Sequence, residues 1–246
     1  MQDLTQRQTD ILKVIIQEYT ETSSPVGSEI LEKKYKLGIS PATIRNEMVE
    51  LAKKGYLKKT HFSSGRVPSA KGFRFYIKYL VKQKPLSTID EASYKNSIWD
   101  EKGETHKLLS QASKILSQKT NHLSLVVTNK EDMYYAGMAN LLTKPEFFDL
   151  DVSRNIFVKL EEAHFWGEII NEFERIHEET MFLLGEEDFR DPIFESCASV
   201  FGDFSGQKLK GIIGVIGPKG MYYDTIIPQV KYFSELLEKV IIEQGL

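Results

Sequence analysis

The first apolar rhythm in the chain is helical. Ile11, Leu12, Ile15, Ile16 and Tyr19 recur at the three- and four-residue spacing that places side chains on one face of an α-helix. Just ahead of them, Thr5 and Gln8 have the spacing of a capping box, in which two side chains satisfy backbone N–H groups that a first helical turn leaves unpaired. Ser23-Ser24-Pro25-Val26-Gly27 breaks the pattern, and Ser28 is placed to cap a short second helix, Glu29 to Tyr35, that stops before Leu37-Gly38. Ser40-Pro41 then joins a favoured N-cap to a proline at the first helical position, where a fixed φ helps and no N–H is needed. A third helix is expected from there to Lys54, with Gly55 taking the left-handed stop. On it, Ile44, Met48 and Leu51 form one stripe, and Ala42, Arg45, Asn46, Val49, Glu50 and Lys53 face the other way.

After Gly55 the period shortens. Tyr56-Leu57-Lys58-Lys59-Thr60, a turn at Ser63-Ser64-Gly65 and Arg66-Val67-Pro68 predict a short hairpin, and Ser69 is placed to cap a basic helix from Ala70 to Val81. In that helix Phe73, Tyr76, Ile77 and Leu80 are expected inward, with Lys71, Arg74, Lys78 and Lys82 outward. Gln83 to Glu104 is polar, carries Pro85, Ser87, Thr88 and Ser93, and has no sustained period, so it reads as a boundary. Beyond it, Leu108, Leu109, Ala112, Ile115 and Leu116 predict a helix, Leu123 to Thr128 a strand, and Glu161 to Glu178 a helix. Strands are expected at Met181 to Leu184, Ser196 to Phe201 and Lys210 to Ile216, and a closing helix from Pro228. The expected class is α+β: a winged helix-turn-helix over residues 1–84, a linker over 85–104, and an α+β domain with an antiparallel sheet over 105–246.

The bulk composition, 41% hydrophobic and 27% charged over 246 residues, is that of a globular protein large enough for two domains. A single cysteine, Cys197, excludes an intrachain disulfide framework. The start Met1-Gln2-Asp3 lacks a secretory pattern, and runs such as Leu123 to Val127 and Ile212 to Ile216 are far shorter than a membrane helix, so a cytoplasmic protein without membrane contact is expected. The net charge of −3 becomes informative once divided: up to Lys84 there are 16 Lys+Arg against 8 Asp+Glu, or +8, which leaves 16 against 27, or −11, for the remainder. Ten basic residues and no carboxylate lie between positions 51 and 84, a density that suits a polyanion as well as it suits a solvated basic face.

Helix, turn, helix and basic hairpin are the parts of a DNA reader, because an α-helix fits the major groove and its first turns meet base edges. Arg45 can pair bidentately with guanine and Asn46 with adenine, with Thr43 beside them, whereas Lys58, Lys59 and Lys71 suit phosphates. Arg66, beside the Gly65 turn, suits a minor groove. Ser40, Ala42, Lys53, His61, Ser63, Ser64 and Arg74 complete the expected contact set. The same helices would also serve a protein-interaction module, with Arg45 and Asn46 merely solvated.

Four blocks are more specific: Pro25-Val26-Gly27-Ser28, Ser40 to Met48, His61 to Pro68, and Lys71-Gly72-Phe73-Arg74-Phe75-Tyr76. Together they resemble the HrcA family of heat-inducible transcription repressors. Gly137-Met138-Ala139-Asn140-Leu141-Leu142, Pro145-Glu146-Phe147, Gly185-Glu186-Glu187 and Gly214 to Pro218, continuing through Met221, Tyr223 and Ile227-Pro228, extend the resemblance into the second half. It implies a repressor of chaperone operons that binds an inverted-repeat operator as a homodimer, depends on a GroEL-type chaperonin and is released by heat. It also implies a GAF-like fold for the second domain. Phe62 replaces the family's usual threonine in the hairpin and Ala139 its usual serine. Only a short link joins the Leu123 to Thr128 strand to Tyr134-Tyr135-Ala136-Gly137, where the family usually carries a long dimerising insertion, so the resemblance implies a dimer without specifying its interface.

Other signals are weaker. Glu161 with His164 and Glu174 with His177 are each Glu-x-x-His, but di-iron sites draw such pairs from facing helices, and these two are thirteen residues apart, on one helix or two short ones. Gly211, Gly214, Gly217 and Gly220 lack dinucleotide-loop spacing and read as close packing and a turn. Cys197 stands in an apolar strand pattern, where a buried thiol is the ordinary state. With no nucleophile beside a base motif and no zinc-spaced set, no enzymatic activity, cofactor or metal is expected.

Overall fold

The computed structural model describes residues 3–59, 65–101, 103–176 and 178–246. The chain divides into two compact units, one running to Lys82 and including Lys219–Tyr222, the other comprising Gln83–Pro218 and Tyr223–Leu246.

In the first unit, α1 (Gln6–Thr22) starts at the expected capping box: the Gln8 N–H donates to Thr5 Oγ1 at 3.2 Å, and the Thr5 N–H donates to Gln8 Oε1 at 3.3 Å. It ends where Ser23 turns left-handed and its N–H returns to the Tyr19 carbonyl. Next come α2 (Ser28–Tyr35) and α3 (Pro41–Lys53), then strands β1 (Leu57–Lys59) and β2 (Arg66–Pro68), then α4 (Ala70–Tyr79). Ser28, expected as a cap, is instead the first helical residue, and Gly27 takes the N-cap with no side-chain bond. The cause lies in the hairpin. Val26 and Arg66 exchange two backbone hydrogen bonds, 2.8 and 2.9 Å, which hold the chain extended up to Gly27 and add Val26 as a bridge beside β2. The strands β1 and β2 pair antiparallel, Leu57 with Pro68 and Lys59 with Arg66. Ile11, Leu12, Ile15, Ile16, Leu31, Ile44, Leu51 and Phe73 form the buried centre of this winged helix-turn-helix. Gly72 admits no side chain, since a Cβ there would lie 2.3 Å from the Tyr56 carbonyl oxygen. The ends of α3 and α4 are thereby drawn together.

The second unit is a five-stranded antiparallel sheet, counted among the described residues, in the order β4-β3-β7-β6-β5. Its strands are β3 (Leu123–Thr128), β4 (Met133–Ala136), β5 (Met181–Leu184), β6 (Cys197–Ser205) and β7 (Lys210–Pro218). Alternation sets the two faces. Leu123, Leu125, Val127, Met181, Leu183, Cys197, Phe201, Ile212 and Ile216 point to one side, where they meet Leu141 of α7 (Met138–Leu141), Ile156 and Leu160 of α8 (Leu150–Glu161), Trp166, Ile169 and Phe173 of α9 (Ala163–Ile176), and Phe189 of α10 (Glu186–Phe189). The other face lies under α6 (Thr105–Thr120) and α11 (Tyr223–Glu243), with α5 (Thr88–Trp99) against them. Gly214 stands opposite Phe201, and a Cβ there would meet that ring at 2.4 Å, so an aromatic side chain covers the gap its partner leaves.

Several expectations change. The stretch 85–104, read as a linker, contains α5, which belongs to the second unit and buries Tyr94 and Ile98. The helix expected over Glu161 to Glu178 is broken at Glu162, because the Trp166 indole N–H takes the Lys159 carbonyl at 2.9 Å and draws the ring into the core at the end of α8. Pro228 lies inside α11 rather than at its start. The Asp224 carbonyl that proline cannot serve instead accepts the Lys84 N–H at 2.8 Å. Cys197 is fully buried, Glu174 pairs with Lys210 at 2.5 Å, His164 faces Glu168 at 3.4 Å, and His177 lies outside the described residues.

Candidate nucleic-acid interface

The geometry of α3 starts with its cap. The Ser40 hydroxyl accepts the Thr43 N–H at 3.2 Å and lies 3.0 Å from the Thr43 hydroxyl, so both side chains are committed to the helix start. Ile44, Met48 and Leu51 are buried, which fixes the rotation of the helix and leaves Ala42, Arg45, Asn46, Val49, Glu50 and Lys53 exposed. Glu47 sets the tilt from a third side, accepting Gln8 Nε2 at 3.0 Å and pairing with Arg7 at 3.4 Å. At the far end Lys54 Nζ donates to the Asp3 carbonyl at 2.6 Å and to Gln8 Oε1 at 3.1 Å. Arg45 and Asn46 are thus presented from a helix clamped at both ends, the pre-organisation that base reading requires.

Helix α2 is tied to α1 by charge. The buried Glu18 carboxylate accepts Lys34 Nζ at 2.7 Å and the Tyr35 hydroxyl at 2.9 Å, and Glu21 takes Lys34 at 2.5 Å. Burial pushes the Glu18 carboxyl up, but the bonds from Lys34 and Tyr35 outweigh it and hold the group below the usual carboxylate range. Burial and the neighbouring Glu18 push the Tyr35 hydroxyl up to about 12.

The remaining expected residues divide. Lys58 and Lys59 are exposed on β1, and Arg74 is exposed on α4. Arg66 is half-buried on β2, with Nη1 donating to the Gly65 carbonyl at 3.2 Å. His61, Ser63 and Ser64 lie outside the described residues. Lys71, read as a phosphate ligand, has a structural bond: its Nζ donates to the Lys54 carbonyl at 2.8 Å and sits 4.4 Å from the centre of the Tyr56 ring. It caps the C-terminal end of α3, where a cation meets unpaired carbonyls. Lys53 pairs with Glu50 at 2.7 Å across one exposed turn. Sequence reasoning missed the clamps Glu47 and Lys54. The only signal for Glu47 is its position between the buried and outward stripes of α3.

The assembled face is a rigid helix with a guanidinium and an amide on its outer side, flanked by a cationic hairpin. Such a helix fits a major groove, and cations on the hairpin fit the adjoining phosphates. Among the described residues no group of three or more His, Cys, Asp or Glu could hold a metal ion, and no helix is long and apolar enough to cross a membrane.

Comparison with known proteins bears on both units. Residues 69–227 match the family model described as HrcA protein C terminal domain, and residues 1–64 match that of the LexA DNA binding domain. A protein of Alkaliphilus metalliredigens (strain QYMF) named heat-inducible transcription repressor HrcA is 31% identical over 245 residues, covering 96% of this chain and 66% of that one. One of the same name from Clostridium perfringens (strain 13 / Type A) is 43% identical over 121 residues, covering 49% of this chain and 36% of its own. The chain therefore spans less than two thirds of the length of the curated relatives it matches. A crystal structure described as a hypothetical protein at 2.2 Å resolution is 18% identical with a TM-score of 0.77, covering 98% of this chain and 99% of that one, and shares the fold.

Proposed function

Since the chain belongs to the HrcA family, we propose that it is a heat-inducible transcription repressor that binds double-stranded DNA through its winged helix-turn-helix. The observation that carries this reading is the clamped α3, whose exposed side holds Arg45 and Asn46 while its opposite side is buried. In this reading α3 lies in the major groove, Arg45 pairs with guanine and Asn46 with adenine. Lys58, Lys59 and Arg74 contact phosphates, Arg66 approaches the minor groove, and Lys71 acts by holding the end of α3. Two copies bind an inverted-repeat operator of chaperone genes, because a two-fold protein matches a palindrome. A GroEL-type chaperonin keeps the repressor active and heat releases it.

A gel-shift titration against an inverted-repeat duplex from a chaperone-operon promoter tests this. Binding is expected to be tight, to weaken steeply with salt, and to exceed binding to a scrambled duplex by about 10³-fold or more. Equal affinity for the two duplexes would overturn the repressor reading and leave the basic face to a protein partner.

A further inference from the structure

The exposed side of α3 is not uniformly polar. Ala42, Arg45, Asn46, Val49 and Lys53 are all exposed, and at about 100° per residue they fall within a single arc of roughly 100°. Ile44, Met48 and Leu51 occupy the opposite side. Arg45 and Asn46 are therefore bracketed by apolar groups, a methyl one turn before and an isopropyl one turn after. Val49 is 37% exposed on a helix whose other large apolar residues are buried. The clamps do not involve it: Glu47 ties the helix to α1, and Lys53 pairs with Glu50.

In the major groove the apolar group that base edges present is the C5 methyl of thymine. We propose that Val49 and Ala42 read thymine methyl groups on either side of the purines bound by Arg45 and Asn46, which makes Val49 a specificity-determining residue. The inference rests on the reading that α3 enters the major groove. Seven residues of helix span about 10.5 Å, roughly three base-pair rises, so the two methyls lie about three base pairs apart. The recognised half-site carries thymines at both ends of its central purines.

The test uses the full chain and the duplex that it enriches from a random pool. Each thymine is replaced in turn by deoxyuridine, which removes the methyl and keeps every pairing hydrogen bond. At two positions about three base pairs apart, replacement is expected to weaken wild-type binding about fourfold, the equivalent of about 0.8 kcal/mol for one buried methylene-sized group. Val49→Ala is expected to bind the unmodified duplex about fourfold more weakly and to become indifferent to deoxyuridine at one of those positions. Wild-type protein indifferent to every replacement, or a Val49→Ala protein that keeps both penalties, overturns the inference while DNA recognition by α3 stands. Failure to enrich any duplex overturns the groove reading and the inference with it.

Discussion

Helix α3, at the open side of the first unit, and strand β7, at the middle of the sheet, treat solvent in opposite ways. Strand β7 is buried at every residue from Gly211 to Pro218, with helices over both faces of its sheet. Helix α3 buries Ile44, Met48 and Leu51 and exposes Ala42, Arg45, Asn46 and Val49. The buried stripe anchors one side of α3, and the first unit does not rely on that burial alone. It also holds the helix by named polar bonds at the edges, through Glu47, Lys54 and Lys71. The sheet unit rests on packed aromatics such as Trp166, Phe173, Phe201 and Phe233. The same division shows in charge, +8 up to Lys84 and −11 beyond.

The largest test of that contrast is Trp166→Ala. It removes a fully buried ring that stacks edge-on against Phe165 and Phe201, and is expected to cost about 3–5 kcal/mol in urea unfolding. A cost under about 1 kcal/mol would mean that the sheet unit does not depend on its core as argued.

Next is pH. His122 is buried, with Nδ1 donating to the Thr120 carbonyl at 2.6 Å; burial, with the nearby Lys144 charge, pushes its pKa from 6.5 down to about 4. Between those values the unfolded chain binds the proton and the folded chain does not. Stability is therefore full above about pH 6.5 and falls by up to about 3 kcal/mol as pH drops towards 4. His122→Asn should flatten the unfolding midpoint over that window, and an unchanged slope would remove His122 as the cause.

Arg45→Ala should reverse the pattern of Trp166→Ala. It is expected to leave stability within about 0.5 kcal/mol and to reduce discrimination between preferred and scrambled duplexes by about 1–3 kcal/mol. Equal losses on both duplexes in gel shifts would deny it a base-reading role. Smallest is Lys58→Ala on β1, expected to weaken all duplexes alike and to lower the slope of log affinity against log salt by about 0.9. A loss confined to the preferred duplex would make Lys58 a base reader.

Much of the first unit was legible because its signals are local. Ser40-Pro41 and Thr5 with Gln8 specify helix starts through bonds made within one turn, and the stripe of Ile44, Met48 and Leu51 specifies which side of α3 is open. The bond from Lys71 was not legible, because its partner, the Lys54 carbonyl, comes within reach only when α4 packs against the end of α3.

By itself, then, the sequence determined the periodic elements and their caps: α1, α3, α4, the wing strands, β3, β5 and the face of α3 that stays in water. The tertiary structure decided that Thr88–Trp99 joins the second unit as a helix, since Ser87 caps its start but only Tyr94 and Ile98 turn inward from an otherwise polar stretch. It also decided that Met133–Ala136 pairs with β3, that a helix breaks where Trp166 enters the core, and that Pro228 sits inside α11 because Lys84 serves the carbonyl it leaves. Each of these depends on a partner distant in sequence or on a ring finding its cavity. Capping and periodicity act within a few residues and carry no record of such partners.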